Sequence, residues 1–156
     1  MGARKDEGEK IVASNRKARH DYELFDRFET GIVLTGDEVK SLRAGRASLV
    51  DAFARVSSGE IWLEGMHIPP YEQGDKRTHL PVRPRKLLLH RREMESIARD
   101  LAEKGLSLVP LRVYFTHGMA KVEVALARGK RRYEKRQSIA KREAQREMER
   151  AAGRRR

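Results

Sequence analysis

The sequence contains no cysteine, so disulfide bonds, thiolate metal ligands and cysteine nucleophiles are all excluded. The same absence is typical of a reducing compartment, and we therefore expect a cytoplasmic protein. Aromatic residues make up only 6% of the chain, with a single tryptophan. No apolar run approaches the length of a membrane span, and residues 1–10 are too polar to predict a secretory signal. We therefore expect no membrane partner and one intracellular domain.

Acidic residues are too few to balance the basic ones, and the imbalance is concentrated at one end. The chain has 35 Lys and Arg against 23 Asp and Glu, a net charge of +12. Residues 129–156 contain twelve Lys and Arg against four Glu, a net +8, which leaves only +4 for the rest. Such a cationic tail on a more balanced body predicts a polyanionic partner, and nucleic acid is the first candidate.

The tail also lacks an apolar stripe. Its residues are good helix formers, but Ile139 and Met148 are almost its only large apolar side chains. We therefore predict that the tail is disordered in the free protein and becomes helical against a partner. Tyr133 lies among the cations, where an aromatic ring can stack on bases.

A capping box gives the clearest local signature. Thr35 is followed three residues later by Glu38, and Leu34 and Val39 occupy the positions of a hydrophobic staple. Gly45 can adopt the left-handed conformation that ends a helix. This pattern predicts a short helix over residues 36–44.

The remaining segments are mostly short strands. Residues 22–28, 31–34, 52–56, 60–66, 87–89, 108–115 and 119–127 are predicted to be extended, with turns at 57–59 and 117–118. Residues 93–104 show the apolar spacing of an amphipathic helix, which Gly105 ends. Trp62 is predicted to lie in the core or at its mouth. The pattern predicts a mainly β fold with added α: a small antiparallel β-barrel carrying helices.

Signatures of catalysis and metal binding are weak. Gly31 and Gly36 have the spacing of a phosphate-binding loop, but Asp37 and Glu38 replace its Lys and Ser/Thr. The five histidines are scattered, and none has a second ligand at metal spacing. The sequence predicts no cofactor, no metal site and no enzymatic activity.

Four separated runs carry a family resemblance. They are NRKARHDY at residues 15–22, EVKSLRAG at 38–45, RKLLLH at 85–90, and GKR at 129–131 followed by EKR at 134–136. In this order and spacing they resemble the small protein B family, the SsrA-binding proteins of bacterial trans-translation. Departures are mild: Glu134 replaces the family's usual Asp, and Thr30 its usual Ala.

The resemblance implies an OB-like barrel at residues 11–128, between a mobile arm at 1–10 and the tail at 129–156. It implies that a monomer binds the tRNA-like domain of transfer-messenger RNA, and that the tail enters the messenger channel of a stalled ribosome at the small-subunit decoding region as a helix. The implied RNA contacts are Asn15, Lys17, Arg19, His20, Glu29, Arg85, Leu88 and Lys121. The implied ribosome contacts are Lys130, Arg131, Arg132, Tyr133, Lys135 and Arg136.

Two other interpretations stay open on the residues alone. A generic RNA-binding or ribosomal protein could use the same barrel on another structured RNA, without preference for a tRNA-like one. A small nuclease would instead cleave RNA in a magnesium- or histidine-dependent reaction. Core packing is an alternative role for Leu88, and a surface ion pair with Arg27 or Lys121 is an alternative for Glu29.

Overall fold

The fold follows from a computed structural model that describes residues 9–74, 76–130 and 132–154, except for the side chains at 132–141 and 154. These residues form seven strands and four helices. The strands are β1 (Glu9–Ser14), β2 (Tyr22–Ile32), β3 (Phe53–Ser57), β4 (Glu60–Glu64), β5 (Arg85–Leu88), β6 (Ser107–Thr116) and β7 (Met119–Gly129). The helices are α1 (Arg16–Asp21), α2 (Gly36–Arg43), α3 (Arg91–Lys104) and α4 (Arg132–Arg154).

The strands form one antiparallel sheet that closes into a ring. Their order is β1-β6-β3-β4-β5-β2-β7, and a further pairing joins β6 to β7. Strand β6 therefore touches β7 along one edge, while β1 and β3 share its other edge. The prediction of a mainly antiparallel β fold with flanking helices is confirmed.

Two tight turns set the hairpin registers. His117 and Gly118 have φ values of 50° and 75°, and Ser58 and Gly59 have 52° and 74°. Two consecutive positive φ values are typical of a turn whose twist matches that of the paired strands, and glycine adopts this conformation without strain. The hairpins predicted at 57–59 and 117–118 are thereby confirmed.

The interior of the ring holds the main core. Val122, Val124 and Leu126 alternate along β7 and are fully buried in it, as the sequence pattern predicted. Helix α3 adds Ile97, which is also fully buried. On the other face of β7, Ala125 and Ala127 belong to a second, smaller cluster that helix α1 covers with Ala18.

Helix α2 begins as predicted. The Thr35 hydroxyl accepts a hydrogen bond from the Glu38 backbone N–H at 3.2 Å, and the Glu38 carboxylate accepts one from the Thr35 N–H at 2.9 Å. The helix ends at Arg43, one residue before the predicted end. Helix α3 starts at Arg91, two residues before its predicted start, and Gly105 ends it with φ of 61°.

Several sequence-based predictions are wrong. Residues 16–21 form helix α1, which the sequence pattern did not predict, and residues 22–32 form one strand instead of two. Trp62 is half-buried opposite Arg55 and Lys86, outside the core cluster, so the core alternative for this residue is wrong. Strand β1 begins at Glu9, so the predicted arm loses its last two residues to the sheet. The rest of the arm lies outside the described residues.

The tail forms helix α4 over 23 residues, from Arg132 to Arg154. Residues 142–153 are exposed throughout, which agrees with the missing apolar stripe. Its sequence of Ala, Glu, Gln, Lys and Arg has high helix propensity, so a helix is consistent with local preference alone. Disorder of the tail in the free protein stays a prediction.

Candidate nucleic-acid interface

A groove lies where strands β2, β5, β6 and β7 approach the start of helix α3. It has a volume of about 780 Å³. Three residues singled out from the sequence, Glu29, Leu88 and Lys121, line it from three different strands. The fold thus brings together side chains that are up to 92 positions apart in the sequence. No local sequence pattern reveals that they are close in space.

The register of the sheet explains how these residues meet. Gly31 of β2 is the Cα partner of Leu88 on β5 and of Lys121 on β7. A Cβ atom at Gly31 would lie 3.3 Å from the Leu88 Cβ, closer than most side chains approach, so a glycine lets the leucine lie over the strand. Leu88 is 49% exposed. The alternative role for Leu88, as an ordinary core residue, is therefore wrong.

Two acidic residues beside the groove, Glu29 and Glu123, have different neighbours. Glu29 and Glu123 are Cα partners on β2 and β7, an arrangement that is unfavourable for two carboxylates without cations. Arg112 and Arg27 both pair with Glu123, at 3.4 and 3.9 Å. The Glu29 carboxylate is instead close enough to the Tyr114 hydroxyl to raise, after burial, the pKa of that phenol. Of the two cations that the alternative role gave Glu29 as partners, Arg27 pairs with Glu123 instead.

The sequence reasoning did not single out Tyr114 or Arg112. The turn at 117–118 could have located them, because counting outward from it places Tyr114 opposite Lys121 and Arg112 near Glu123. The β-bulge between Pro110 and Arg112 lies beyond both pairs and first shifts the pairing of Pro110 with Val124, so counting from the turn gives both pairs correctly.

The groove therefore offers three kinds of contact within one concave surface. Lys121 can donate charge-assisted hydrogen bonds to an anion, and the Glu29 carboxylate can accept them from a donor. Leu88 provides an exposed apolar surface, as does Met119 at the rim. A nucleotide unit has the matching groups, because it joins a phosphate to a hydroxylated sugar and a flat base.

A second basic surface lies at the opposite end of strand β7. Lys17, Arg19 and His20 of helix α1 are exposed, and the His20 Nδ1 lies 3.0 Å from the Asp21 carboxylate. The Lys130 backbone N–H donates a 2.9 Å hydrogen bond to the Asp21 carbonyl, so this helix adjoins the base of the tail. The structure does not bring these residues together with the groove.

Asn15 is part of the scaffold in this structure. It is 8% exposed, its side-chain oxygen accepts from the Ala18 N–H at 3.1 Å, and its amide donates to the Pro110 carbonyl at 2.9 Å. It is the N-cap of helix α1. The expected direct RNA contact of Asn15 conflicts with this burial; its contribution is to hold α1 against β6.

Arg85 is also part of the scaffold in this structure. It is fully buried, and its guanidinium donates to the Glu38 carboxylate at 2.5 Å, the Met66 carbonyl at 2.6 Å and the Pro81 carbonyl at 3.0 Å. Arg83 pairs with the other oxygen of Glu38. A guanidinium with its donors occupied inside the protein cannot reach RNA, so the expected RNA contact of Arg85 is wrong in this structure.

The predicted tail contacts are described only in part. Lys130 is exposed just after β7. Arg132, Tyr133, Lys135 and Arg136 belong to the backbone of helix α4, but their side chains, and Arg131 as a whole, lie outside the described residues. Their roles stay predictions.

Two absences apply to the described residues. Among them, no group of three or more His, Asp and Glu side chains could hold a metal ion. No helix in the described ranges is long and apolar enough to cross a membrane.

Comparisons with known proteins agree with one another. The family described as SmpB protein matches residues 12–154. An SsrA-binding protein from Salinispora arenicola is 62% identical over 151 residues, which are 97% of this chain and 95% of that protein. One from Thermobifida fusca is 60% identical over 152 residues, with the same two coverages.

A solved structure gives the matching fold. It is described as "tmRNA-SmpB: a journey to the center of the bacterial ribosome", and its chain is 48% identical with a TM-score of 0.65. The superposition covers 81% of this chain and 92% of that one. With a family match over nearly its whole length and relatives above 60% identity, the chain belongs to the SmpB family.

Proposed function

We propose that this protein binds the tRNA-like domain of transfer-messenger RNA and delivers it to stalled ribosomes for trans-translation. The observation that carries the proposal is the groove, where Lys121, Glu29 and Leu88 offer a cation, an acceptor and an apolar surface to one nucleotide unit. Relatives named SsrA-binding protein cover the chain, and the similar solved structure is described with tmRNA and the bacterial ribosome.

The division of labour follows the two ends of strand β7. The groove binds the tRNA-like RNA, while helix α1 and the tail at 129–156 contact ribosomal RNA. The resemblance implied that Lys17, Arg19 and His20 contact the tRNA-like RNA. Because they lie beside the base of the tail and away from the groove, we propose instead that they contact ribosomal RNA. In the tail, the cations pair with phosphates and Tyr133 stacks on a base.

The proposed role is binding without catalysis. The protein acts as a monomer on its RNA, in the cytoplasm, where ribosomes work. Incubation with the tRNA-like RNA and magnesium should leave the RNA intact on a denaturing gel. Cleavage that depends on the protein would favour the nuclease interpretation instead.

Replacing Lys121 with alanine is expected to weaken binding of the tRNA-like RNA by about 1–3 kcal/mol, since a charge-assisted contact in the groove is lost. If the interface makes ~6 phosphate contacts, log K should fall against log salt with a slope of about −4 to −5, and the variant should reduce that slope by about one. Titration of labelled RNA at several salt concentrations measures both quantities.

The matched control is Lys104→Ala. Lys104 is exposed at the end of helix α3, where it pairs with Asp100 at 3.6 Å, outside the groove. Lys104→Ala removes the same charge as Lys121→Ala, so an effect of net charge alone would weaken RNA binding equally in the two variants. Equal affinities of the Lys121 variant and the wild type would remove Lys121 from the interface. Equal binding of an unrelated structured RNA at moderate salt would favour a generic RNA-binding protein.

A further inference from the structure

We infer that Tyr114 is a positioning residue for RNA recognition, because its hydroxyl orients the Glu29 carboxylate toward hydrogen-bond donors of the RNA. The inference rests on the proposed function and deepens it, since it assigns a chemical class of RNA group to one side of the groove. Tyr114 is 1% exposed, so it acts through Glu29 and not by touching RNA.

The sheet register places the two residues beside each other. Tyr114 on β6 is the Cα partner of Lys121 on β7, which is in turn the partner of Gly31 on β2. Residues that are direct partners point to the same face of a sheet, as do residues two apart on one strand. Tyr114, Lys121 and Glu29 therefore share one face of the sheet, beside the groove.

Arg112 holds the tyrosine in place. Its guanidinium carbon lies 4.0 Å from the centroid of the Tyr114 ring, so the cation covers the ring. The same guanidinium donates to the Glu9 carboxylate at 2.8 Å and lies 3.4 Å from the Glu123 carboxylate. Anchors on strands β1 and β7 thus fix Arg112 above the ring, and the ring cannot swing away from Glu29.

Burial and the interaction with Glu29 both raise the pKa of Tyr114 above its ordinary value of 10.0. At neutral pH the hydroxyl is therefore protonated and is able to donate a hydrogen bond to the carboxylate.

This arrangement determines what Glu29 can bind. An ionised carboxylate only accepts hydrogen bonds, and one side of it is already occupied by the phenol. Its remaining lone pairs suit a ribose hydroxyl or a base amino or imino group, whereas a phosphate would be repelled. Lys121, two positions along the sheet, is where a phosphate fits. The groove therefore binds a nucleotide in one orientation, with its phosphate at Lys121 and one of its hydrogen-bond donors at Glu29.

The test is a double-mutant cycle on the full-length protein with labelled tRNA-like RNA, using Tyr114→Phe, Glu29→Gln and the pair. We expect Tyr114→Phe to weaken binding about three- to tenfold, within the range of the net contribution of a typical hydrogen bond. In the Glu29→Gln background the same change should have almost no effect, because the residue that it positions is gone. Tyr71→Phe, in a different and smaller pocket, is the matched control and should bind like the wild type.

Salt dependence separates positioning from a phosphate contact and from partial unfolding. Tyr114→Phe should keep the wild-type salt slope and a cooperative thermal transition, because no phosphate contact is removed. Wild-type affinity of Tyr114→Phe beside a weakened Glu29→Gln would overturn this inference alone, as would a Tyr114→Phe effect that persists in the Glu29→Gln background. Failure of the wild-type protein to prefer the tRNA-like RNA would overturn the proposed function and this inference with it.

Discussion

Replacing Glu38 with glutamine is expected to lower the free energy of unfolding by about 3–5 kcal/mol, the usual cost of leaving a buried charge without its partner. Glu38 is 2% exposed and pairs with the fully buried Arg85 and with Arg83. Glutamine keeps the volume but loses the charge that Arg85 requires. Since small domains are stabilised by only about 5–15 kcal/mol, urea denaturation should show a large fall in the midpoint.

Glu60→Gln is the control for this prediction. Glu60 pairs with Lys86 at 2.9 Å, but both side chains are well exposed, so the loss should be below about 1 kcal/mol. A Glu38→Gln midpoint equal to that of the control would show that the buried pair contributes little to the fold. The two hydrogen bonds from Arg85 to the Met66 and Pro81 carbonyls would then have to hold its charge without the carboxylate.

The same carboxylate predicts how stability depends on pH. Burial alone would raise the pKa of Glu38, but hydrogen bonds from Arg83, the Thr35 N–H and Arg85 outweigh burial and hold the pKa below its ordinary value of 4.5. Because the folded protein releases this proton more readily than the unfolded chain, the stabilisation is complete above that value and is lost as the pH falls through the folded pKa. Denaturation series from neutral pH downward should therefore show a steeper acid loss for the wild type than for Glu38→Gln. Parallel losses would contradict the assignment.

Ending the chain after Lys130 is expected to abolish peptide tagging on stalled ribosomes while leaving RNA binding within a factor of about three at moderate salt. The cut removes helix α4, whose described side chains are all exposed, and keeps the hydrogen bond from the Lys130 N–H to the Asp21 carbonyl. The core and the groove therefore stay complete. A reconstituted tagging assay and an RNA titration on the same preparation measure the two activities.

A milder variant provides the control for charge. Tyr133→Ala with Lys135→Ala and Arg136→Ala leaves most of the tail's charge and should still lose tagging, because the stacking ring and its neighbouring cations are gone. Normal tagging by the truncated protein would refute the role of the tail. Joint loss of tagging and RNA binding would instead assign the tail to the primary RNA interface.

Local signals in the sequence predicted the local structure well. The Thr35 and Glu38 capping box, the glycine that ends α3 and the turn at 117–118 each depend on residues a few positions apart. Helix α1 was missed because its six residues have no apolar period. Its cap, Asn15, is held by the Pro110 carbonyl, 95 positions away, and such a contact exists only after β6 has folded beside it.

The site was predictable in composition but not in arrangement. The family resemblance supplied Glu29, Leu88 and Lys121, and the groove unites them. The resemblance also supplied Arg85. Because Arg85 lies in a basic segment just before an apolar strand, the sequence suggested a surface cation. The carboxylate that draws Arg85 inward is Glu38, whose visible sequence role was to cap a helix. Glu38 both caps helix α2 and pairs with Arg85, and a sequence pattern within one segment cannot reveal the second role.

The fixed length of strand β7 affects which RNA partners the protein can select, and no single contact has this effect. Lys121 and Gly129 lie about 26 Å apart along this strand, and pairing with β6 and β2 on its two edges prevents the strand from stretching. Strand β7 thus fixes the distance between the two proposed contact surfaces. Once one surface is bound, the other has a high effective concentration only at a partner site with the same spacing. Two RNAs with suitable surfaces at the wrong separation would gain nothing from the second contact, so discrimination here depends on a length as well as on chemistry.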